Sequence, residues 1–353
     1  TQVALSAIAA TRTSCLCLVP TRALLAQWLT ALQAVHDGPL GRFGDGERVL
    51  APITVATYAG AYRHMARLGD RFGLLIVDEA HHFGEGRQDE ALEMSIAPLR
   101  LGLTATPSAP GPAATRLRSL LGPVVFQRSI GDLTGPYLAP LERITWHLDL
   151  EPDERREYGA LCAVYRQAWL AFAGGHLGAK WEDFLRHAAQ TDEGRRGIAA
   201  WRRARRMLAF PRRKREALAR LLAQHRQEKT LVFVADNQTA YAVAREHLIM
   251  PLTCDIGRRE RQEVLDRFRA GDLRALVSAQ VLNEGLDVPD AEIGIVVAGR
   301  LGEREHVQRI GRLLRPREGK RAVVYELVIG QSSEARDAEK RGRHLASASR
   351  SAA

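Results

Sequence analysis

Short apolar runs alternate with segments of helical periodicity along most of the chain. "SCLCLVP" (14–20) is followed by "TRALLAQWLTALQAV", and "ITVATY" (53–58) by "AGAYRHMARLG"; "FGLLIVDEA" (72–80) and "LGLTATP" (101–107) come next. These runs are apolar throughout rather than alternating with polar residues, as parallel strands covered on both faces are. Strand–helix alternation of this kind predicts a doubly wound α/β sheet. The pattern returns after residue 229. "TLVFVAD", "PLTCDIG", "ALVSAQV", "IGIVVAG" and "AVVYELVI" predict strands, and "QTAYAVAREHL", "RRERQEVLDRFRAGD" and "GEREHVQRIGRLLR" the helices between them.

Residues 148–228 differ. They hold no strand-like run and read as helices: "PDERREYGALCAVYRQAWLAFAGG", "KWEDFLRHAAQ" and a long Arg-rich stretch. The tail, "QSSEARDAEKRGRHLASASRSAA", starts as a helix and becomes too polar and small to pack. The expected organisation is an α/β domain over 1–147, a helical Arg-rich insertion over 148–228, a second α/β domain over 229–330 and a polar tail over 331–353. The first residues, "TQVALSAIAATR", read as the body of a helix with no polar lead-in.

Composition fits that picture. With 353 residues, 46% of them hydrophobic and 26% charged, the chain can build two or three soluble domains. A net charge of +10 favours a polyanionic partner such as nucleic acid. Only five of the 51 basic residues are lysines, and none lies in the first 179 positions, a bias that reads as the codon usage of a GC-rich genome. Cys15 and Cys17 are spaced to share one face of a strand. No second Cys/His pair stands at metal spacing, so they read as small buried hydrophobes. No disulfide framework is suggested, which fits a reducing cytosol and a cytoplasmic protein. No apolar run approaches the ~18–20 residues of a membrane span, and no charged n-region precedes an apolar one as in a signal peptide.

"LLIVDEAHH" carries the most chemistry. An apolar strand ends in Asp78 and Glu79, at the end of a parallel strand where side chains reach the ligand crevice of open α/β sheets. An Asp there can hold Mg²⁺ through water, and a Glu beside it can deprotonate the water that attacks a γ-phosphate. The plain alternative is a solvent-facing carboxylate pair, since short strings match by chance. "GLTATP" ends the next strand with Thr104 and Thr106. "SAQVLNEGLDVPD" and "QRIGRLLR" follow in the second α/β unit. Arg312 and Arg315 are three apart and share a helical face. Two guanidiniums so placed can stabilise a phosphoryl group in transfer, an effect worth about 10³–10⁵ in rate.

In this order the strings resemble the motifs of the superfamily 2 helicases: "LVPTRALLAQW" (motif Ia), "ATYAGA" (Ib), "DEAH" (II), "TAT" (III), "TLVFVADNQTA" (IV), "VLNEGLDVP" (V) and "QRIGRLLR" (VI). The resemblance covers nearly the whole chain. Through "DEAHHF", "LGLTATP" and "VLNEGLDVPD" it is most similar to the xeroderma pigmentosum group B-like branch. It implies two RecA-like domains with ATP bound between them, DNA bound across both and 3′-to-5′ movement along one strand. Carried over residue by residue, Asp78 binds Mg²⁺ through water and Glu79 is the catalytic base. His81 links the ATP site to the interdomain cleft, and Thr104 and Thr106 couple hydrolysis to DNA. Gln308, Arg312 and Arg315 face the nucleotide, with Gly285 and Asp287 nearby. Pro20, Thr21, Arg22 and Thr57 touch the DNA backbone.

Two departures matter. The family's G-x-x-x-x-G-K-[ST] loop precedes the helix leading to motif Ia. Here that helix starts the chain, with Thr1 where the last residue of the loop belongs. Gly319-Lys320, the only Gly-Lys pair, is followed by Arg321. The chain thus reads as a fragment that retains one Mg²⁺-binding hydroxyl, Thr1, and hydrolyses ATP poorly. The second departure is "SAPGPAA" after "TATP", where the branch often carries Arg-Glu-Asp.

Residues 195–220 hold eleven basic residues and one acid, Glu216. Arg202, Arg203, Arg205 and Arg206 in this stretch are expected to track phosphates. By the resemblance the region corresponds to a thumb-like insertion. Trp169, Phe172, Trp181 and Phe184 form i,i+3 pairs and read as a helical core rather than base-stacking platforms. His36, His64, His176, His187 and His225 read as surface residues. The expected function is an ATP-dependent DNA helicase or translocase acting in DNA repair or related metabolism. Two alternatives stand beside it: the motor subunit of a restriction or defence system, and a DNA-binding module without ATPase activity.

Overall fold

A computed structural model of the protein describes residues 1–105, 110–128, 141–175, 178, 180–279, 291–298 and 322–339. They fall in two compact units, residues 1–128 and the described residues from 141 onward, each built on a six-stranded sheet.

The first unit runs α1 (Gln2–Thr11), β1 (Cys15–Val19), α2 (Arg22–Gln33), β2 (Leu40–Gly44), β3 (Glu47–Val49), β4 (Ile53–Thr57), α3 (Tyr58–Leu68), β5 (Leu74–Asp78), α4 (Glu90–Glu93), β6 (Leu99–Leu103) and α5 (Pro112–Leu121). The sheet order is β3-β2-β4-β1-β5-β6. Every pairing is parallel except the β2–β3 hairpin. Alternation along β1 and β5 divides the core. Cys15, Cys17, Val19, Leu74 and Ile76 pack with residues of α1 and α2; Leu16, Leu18, Leu75 and Val77 pack with residues of α3, α4 and α5. Both faces are covered, which is why β1 and β4 are buried at every position, β1 with apolar residues throughout and β4 with Thr54 and Thr57 among its buried residues.

The β2–β3 hairpin was not expected from the sequence. Its strands are short, and β3 is exposed along its length. Its turn is Asp45-Gly46, both at positive φ (55° and 86°). That is the Asp-Gly signal of a tight hairpin turn.

The second unit runs β7 (Leu141–Leu148), α6 (Pro152–Gly174), α7 (Trp181–Ala188), α8 (Asp192–Ala209), α9 (Arg212–Gln224), β8 (Thr230–Phe233), α10 (Asn237–His247), β9 (Met250–Leu252), α11 (Arg258–Ala270), β10 (Ala275–Ser278), β11 (Ile293–Val296) and β12 (Ala322–Ile329). Its sheet, β7-β12-β11-β8-β10-β9, is parallel in every pairing. The expected domain boundary after residue 147 is corrected here. β7 lies along the full length of β12, from Leu141 opposite Ala322 to Leu148 opposite Ile329, and so belongs to the second sheet. It is an edge strand that turns Ile144, Trp146 and Leu148 to the core, and the polar residues between them break what would otherwise read as a continuous apolar run.

The helices between β7 and β8 are as expected. α6 opens on a capping box of Glu151 and Glu154 with Pro152 in its first turn. α8 crosses it at Gly197, where a Cβ would stand 2.4 Å from the Ala168 Cβ. Phe172 and Phe184 are buried with Ala168 and Ala188, and Trp169 and Trp181 pack against them. These aromatics are core. Pro211 ends the α8–α9 run as the N-cap of α9. His225 is corrected from surface to core: it is 9% exposed, with Nε2 2.9 Å from the Tyr325 hydroxyl.

Candidate active site

β5 sits between β1 and β6, so its last residue, Asp78, emerges at the carboxyl edge of the first sheet. The carboxylate is tied on both oxygens. Trp28 of α2, fully buried, donates its indole N–H to Asp78 Oδ2 at 2.8 Å, and the Glu79 N–H donates to Oδ1 at 3.1 Å. Burial pushes the Asp78 carboxyl above its ordinary range, against the opposing pull of the Trp28 bond and the positive chain amino group.

Glu79 leaves the strand in the left-handed region, φ 52° and ψ 46°, a backbone uncommon for a residue with a side chain. Its Oε2 is buried and makes no hydrogen bond. It lies 3.3 Å from His81 Nδ1, close enough for ion pairing but not aligned for a bond. His81 Nδ1 is 2.9 Å from Thr104 Oγ1, just past the end of β6. The structure thus brings Asp78, Glu79, His81 and Thr104 together. Tyr58 closes the group from the other side, its hydroxyl donating to the main-chain carbonyl of Asp78 and lying 3.2 Å from that of Glu79.

This set suits Mg²⁺ and a phosphate. The donors are hard oxygens, a carboxylate keeps lone pairs beyond two hydrogen bonds, and Glu79 Oε2 is an acceptor still without a donor. Among the described residues no group of three or more His, Cys, Asp or Glu could hold a metal by itself. The site would therefore take its cation with water and substrate oxygens completing the shell.

The expected backbone-binding residues gather on the neighbouring strand ends. Thr21 follows Pro20 at the end of β1 and caps α2, accepting from the Leu24 N–H at 3.2 Å. Thr57 ends β4 and caps α3, accepting from the Gly60 N–H at 3.1 Å. Two helix N-termini therefore open side by side, since β1 and β4 are paired. Arg22 is exposed and meets Asp45 of the hairpin turn at 2.9 Å.

The Arg-rich stretch divides by contact. Arg203 pairs with Glu157, Arg212 with Asp153, and Arg213 with Glu151 and Glu216. Arg205 lies over the Trp201 ring at 5.0 Å. Arg202 and Arg206 are exposed on α8. Lys214, counted with them in the sequence, is fully buried, with Nζ on Glu334 at 2.7 Å and on the Val297 carbonyl at 2.6 Å. Thr106, Gly285, Asp287, Gln308, Arg312 and Arg315 lie outside the described residues. Sequence reading missed Trp28 and Tyr58. Trp28 shares a helical stripe with Leu25 and Leu32, the spacing of a core face. The signal for Tyr58 was that a buried phenol finds a partner for its hydroxyl.

The model of the helicase conserved C-terminal domain matches residues 213–317, and that of the type III restriction enzyme, res subunit, matches residues 1–109. The DNA 3′-5′ translocase XPB2 of Sulfurisphaera tokodaii is 34% identical over 344 residues, covering 97% of this chain and 78% of that protein. A putative DNA 3′-5′ helicase Rad25 of Halobacterium salinarum is 30% identical, over 98% of this chain and 52% of its own length. The DNA 3′-5′ helicase XPB of Mycobacterium tuberculosis is 26% identical, over 98% and 58%. The chain thus spans a little over half of the last two relatives. Among solved structures, the Hef helicase domain of Pyrococcus furiosus superposes with a TM-score of 0.60 at 18% identity, covering 96% of this chain and 92% of that one. Dbp5 of S. cerevisiae bound to RNA and ADP BeF3 gives 0.59 at 16%, covering 94% and 75%. At these identities the two structures bear on the fold alone.

Proposed function

The chain belongs to the XPB branch of the superfamily 2 helicases, and from that premise we propose that it is the motor of an ATP-dependent DNA 3′-to-5′ helicase or translocase serving DNA repair or related DNA metabolism. The observation that carries the reading is the pair at the end of β5: a tethered Asp78 carboxylate beside a Glu79 whose Oε2 is buried without a hydrogen bond. Asp78 would hold Mg²⁺ through water, and Mg²⁺ when bound would spread the charge of the phosphates. Glu79 would orient the attacking water and take its proton as the bond to the γ-phosphorus forms. His81 and Thr104 would carry the state of that carboxylate onward. Thr106 keeps its proposed role in coupling hydrolysis to DNA, and Gly285, Asp287, Gln308, Arg312 and Arg315 keep theirs at the nucleotide.

Phosphoryl transfer depends on positioning and charge, so each donor counts. The chain contains no G-x-x-x-x-G-K-[ST]. We therefore expect this chain by itself to hydrolyse ATP weakly, compared with a longer form that carries such a loop. DNA would lie along the open N-termini of α2 and α3, where backbone N–H groups and Thr hydroxyls read phosphate without sequence preference. Arg202 and Arg206, with Arg203 and Arg205, would extend the grip as a thumb. Such a motor would work where the DNA is; the cytoplasmic location belongs to this proposal. Among the described residues no helix is long and apolar enough to cross a membrane.

The match of residues 1–109 to a restriction-enzyme subunit favours a second reading, the motor of a restriction system. A nuclease or methyltransferase domain in a longer form would decide for it. The test of the main reading is DNA-stimulated ATPase activity, measured on this chain and on a longer form carrying the loop. Turnover by the longer form, accelerated by single-stranded DNA, is the expected result. If neither form hydrolyses ATP while both bind DNA with a steep salt dependence, the protein is a DNA-binding module instead.

A further inference from the structure

Tyr58 joins two parts of the first unit that lie apart in sequence. It is the first residue of α3 and directly follows Thr57, whose hydroxyl caps that helix through the Gly60 N–H. Its ring is 4% exposed and stands edge-on to Phe83, with centroids 4.6 Å apart, and to His82 at 6.1 Å. Its hydroxyl donates to the Asp78 carbonyl and reaches the Glu79 carbonyl at 3.2 Å. Burial, with the Asp78 and Glu79 charges, pushes the phenol well above its ordinary range, so it remains an O–H donor. One residue therefore connects the start of α3 to the strained corner of the Asp78–Glu79 dipeptide.

We propose that Tyr58 is a positioning residue that transmits DNA contact at the N-terminus of α3 to the catalytic carboxylate of Glu79. The proposal rests on the motor reading above. A phosphate bound at the first turn of α3 bears on Thr57 and the following N–H groups. Tyr58 moves with that turn, because its backbone is part of it, and its ring stands edge-on to Phe83 and His82. The hydroxyl carries the displacement to the carbonyls on either side of the Glu79 N–H and Cα. The element that would move is Glu79 itself, whose left-handed backbone (φ 52°) is uncommon for a residue with a side chain. A small rotation there re-aims the side chain, whose Oε2 has no hydrogen bond to hold it. This route is separate from the His81–Thr104 contact, which approaches the same carboxylate from β6.

The test is Tyr58→Phe, which keeps the ring and removes the donor. Hydrogen–deuterium exchange across residues 78–83 would be followed on this chain with and without single-stranded oligodeoxythymidine, beside DNA affinity and thermal melting. In the wild type, DNA is expected to change exchange at these amides by about tenfold, within the usual range of coupling between sites. In Tyr58→Phe the change disappears while DNA affinity stays within about threefold. Thr57 gives a second pair: Thr57→Ser keeps the cap and the response, and Thr57→Val loses both. Equal DNA-induced change in wild type and Tyr58→Phe would overturn the proposal. So would a response that survives in Thr57→Val. Absence of DNA binding by the wild type would instead bring down the motor reading, and this proposal with it.

Discussion

Asp78 and Glu79 are neighbours in the chain but meet different surroundings. Asp78 is half enclosed and tied at both oxygens, while Glu79 keeps one oxygen buried and unbonded. The difference suits a cation holder beside a proton acceptor. Glu79→Gln keeps the volume and removes the basic oxygen. In a longer form carrying the phosphate loop it is expected to lower DNA-dependent ATP hydrolysis by about 10²–10⁴-fold, with DNA affinity retained; undiminished turnover would remove Glu79 from its role. Asp78 offers a test by pH. Its carboxyl is raised in the fold, chiefly by burial. A raised acid favours the folded state when protonated, and that contribution is lost as pH rises through its folded value. Asp78→Asn does not titrate. The melting temperature of Asp78→Asn relative to wild type is therefore expected to shift in the variant's favour between about pH 4 and pH 7, and a flat or opposite trend would contradict it. The carboxylates were legible in sequence because chemistry demands them side by side at a strand end. Trp28 and Tyr58 were not, because their partners lie 50 and 20 residues away.

At the level of elements, α8 and α9 show how far a charge count carries. Of the basic residues between 195 and 220, Arg203, Arg212 and Arg213 spend part of their charge on acids of α6 or its cap, and Lys214 is buried. Exposed ion pairs of this kind are worth about 0–1 kcal/mol, so phosphate can compete for them. Arg202 and Arg206 lie exposed on the same helix. Replacing both with Ala is expected to weaken DNA binding uniformly across sequences and to lower the salt slope by about 0.9 per lost duplex phosphate contact. The melting temperature should hold, and an unchanged slope would place the DNA elsewhere. The opposite test lies at Gly197, where close approach and not charge is at stake. A side chain there meets the Ala168 Cβ at 2.4 Å, so Gly197→Leu is expected to cost about 1–3 kcal/mol by overpacking, read by denaturant unfolding. Elements covered on two faces, such as β1, β4 and β5, announced themselves as apolar runs. β7 and the β2–β3 hairpin lie at sheet edges with one side or more exposed, and their mixed residues carried no such signal.

For the molecule as a whole, two sheets with separate cores predict that stability is not one number. Each unit buries its own strands against its own helices, and multi-domain chains depart from two-state unfolding for this reason. Lys214 gives a handle on the second unit alone. Its ammonium, fully buried, joins α9 to the Val297 carbonyl just beyond β11 and to Glu334, whose other oxygen accepts the Ile329 N–H at the end of β12. Three segments far apart in sequence meet at one charge, and residues 333–339 are helical around it. Removing one partner of a buried pair leaves the other uncompensated, at a cost of about 3–5 kcal/mol. Lys214→Ala is therefore expected to lower the stability of the second unit by about that amount, and adding Glu334→Gln should recover part of it, since the stranded charge is then gone. Exchange at β12 and β11 amides should accelerate with Lys214→Ala, while β1, β4 and β5 keep their protection. If protection fell equally in both sheets, the two units would unfold as one and the separation of cores would have no energetic meaning. If it fell in the second sheet alone, residues 333–339 would be part of the second unit, held there by the buried charge together with the Ser333–Tyr158 bond and the burial of Ala338.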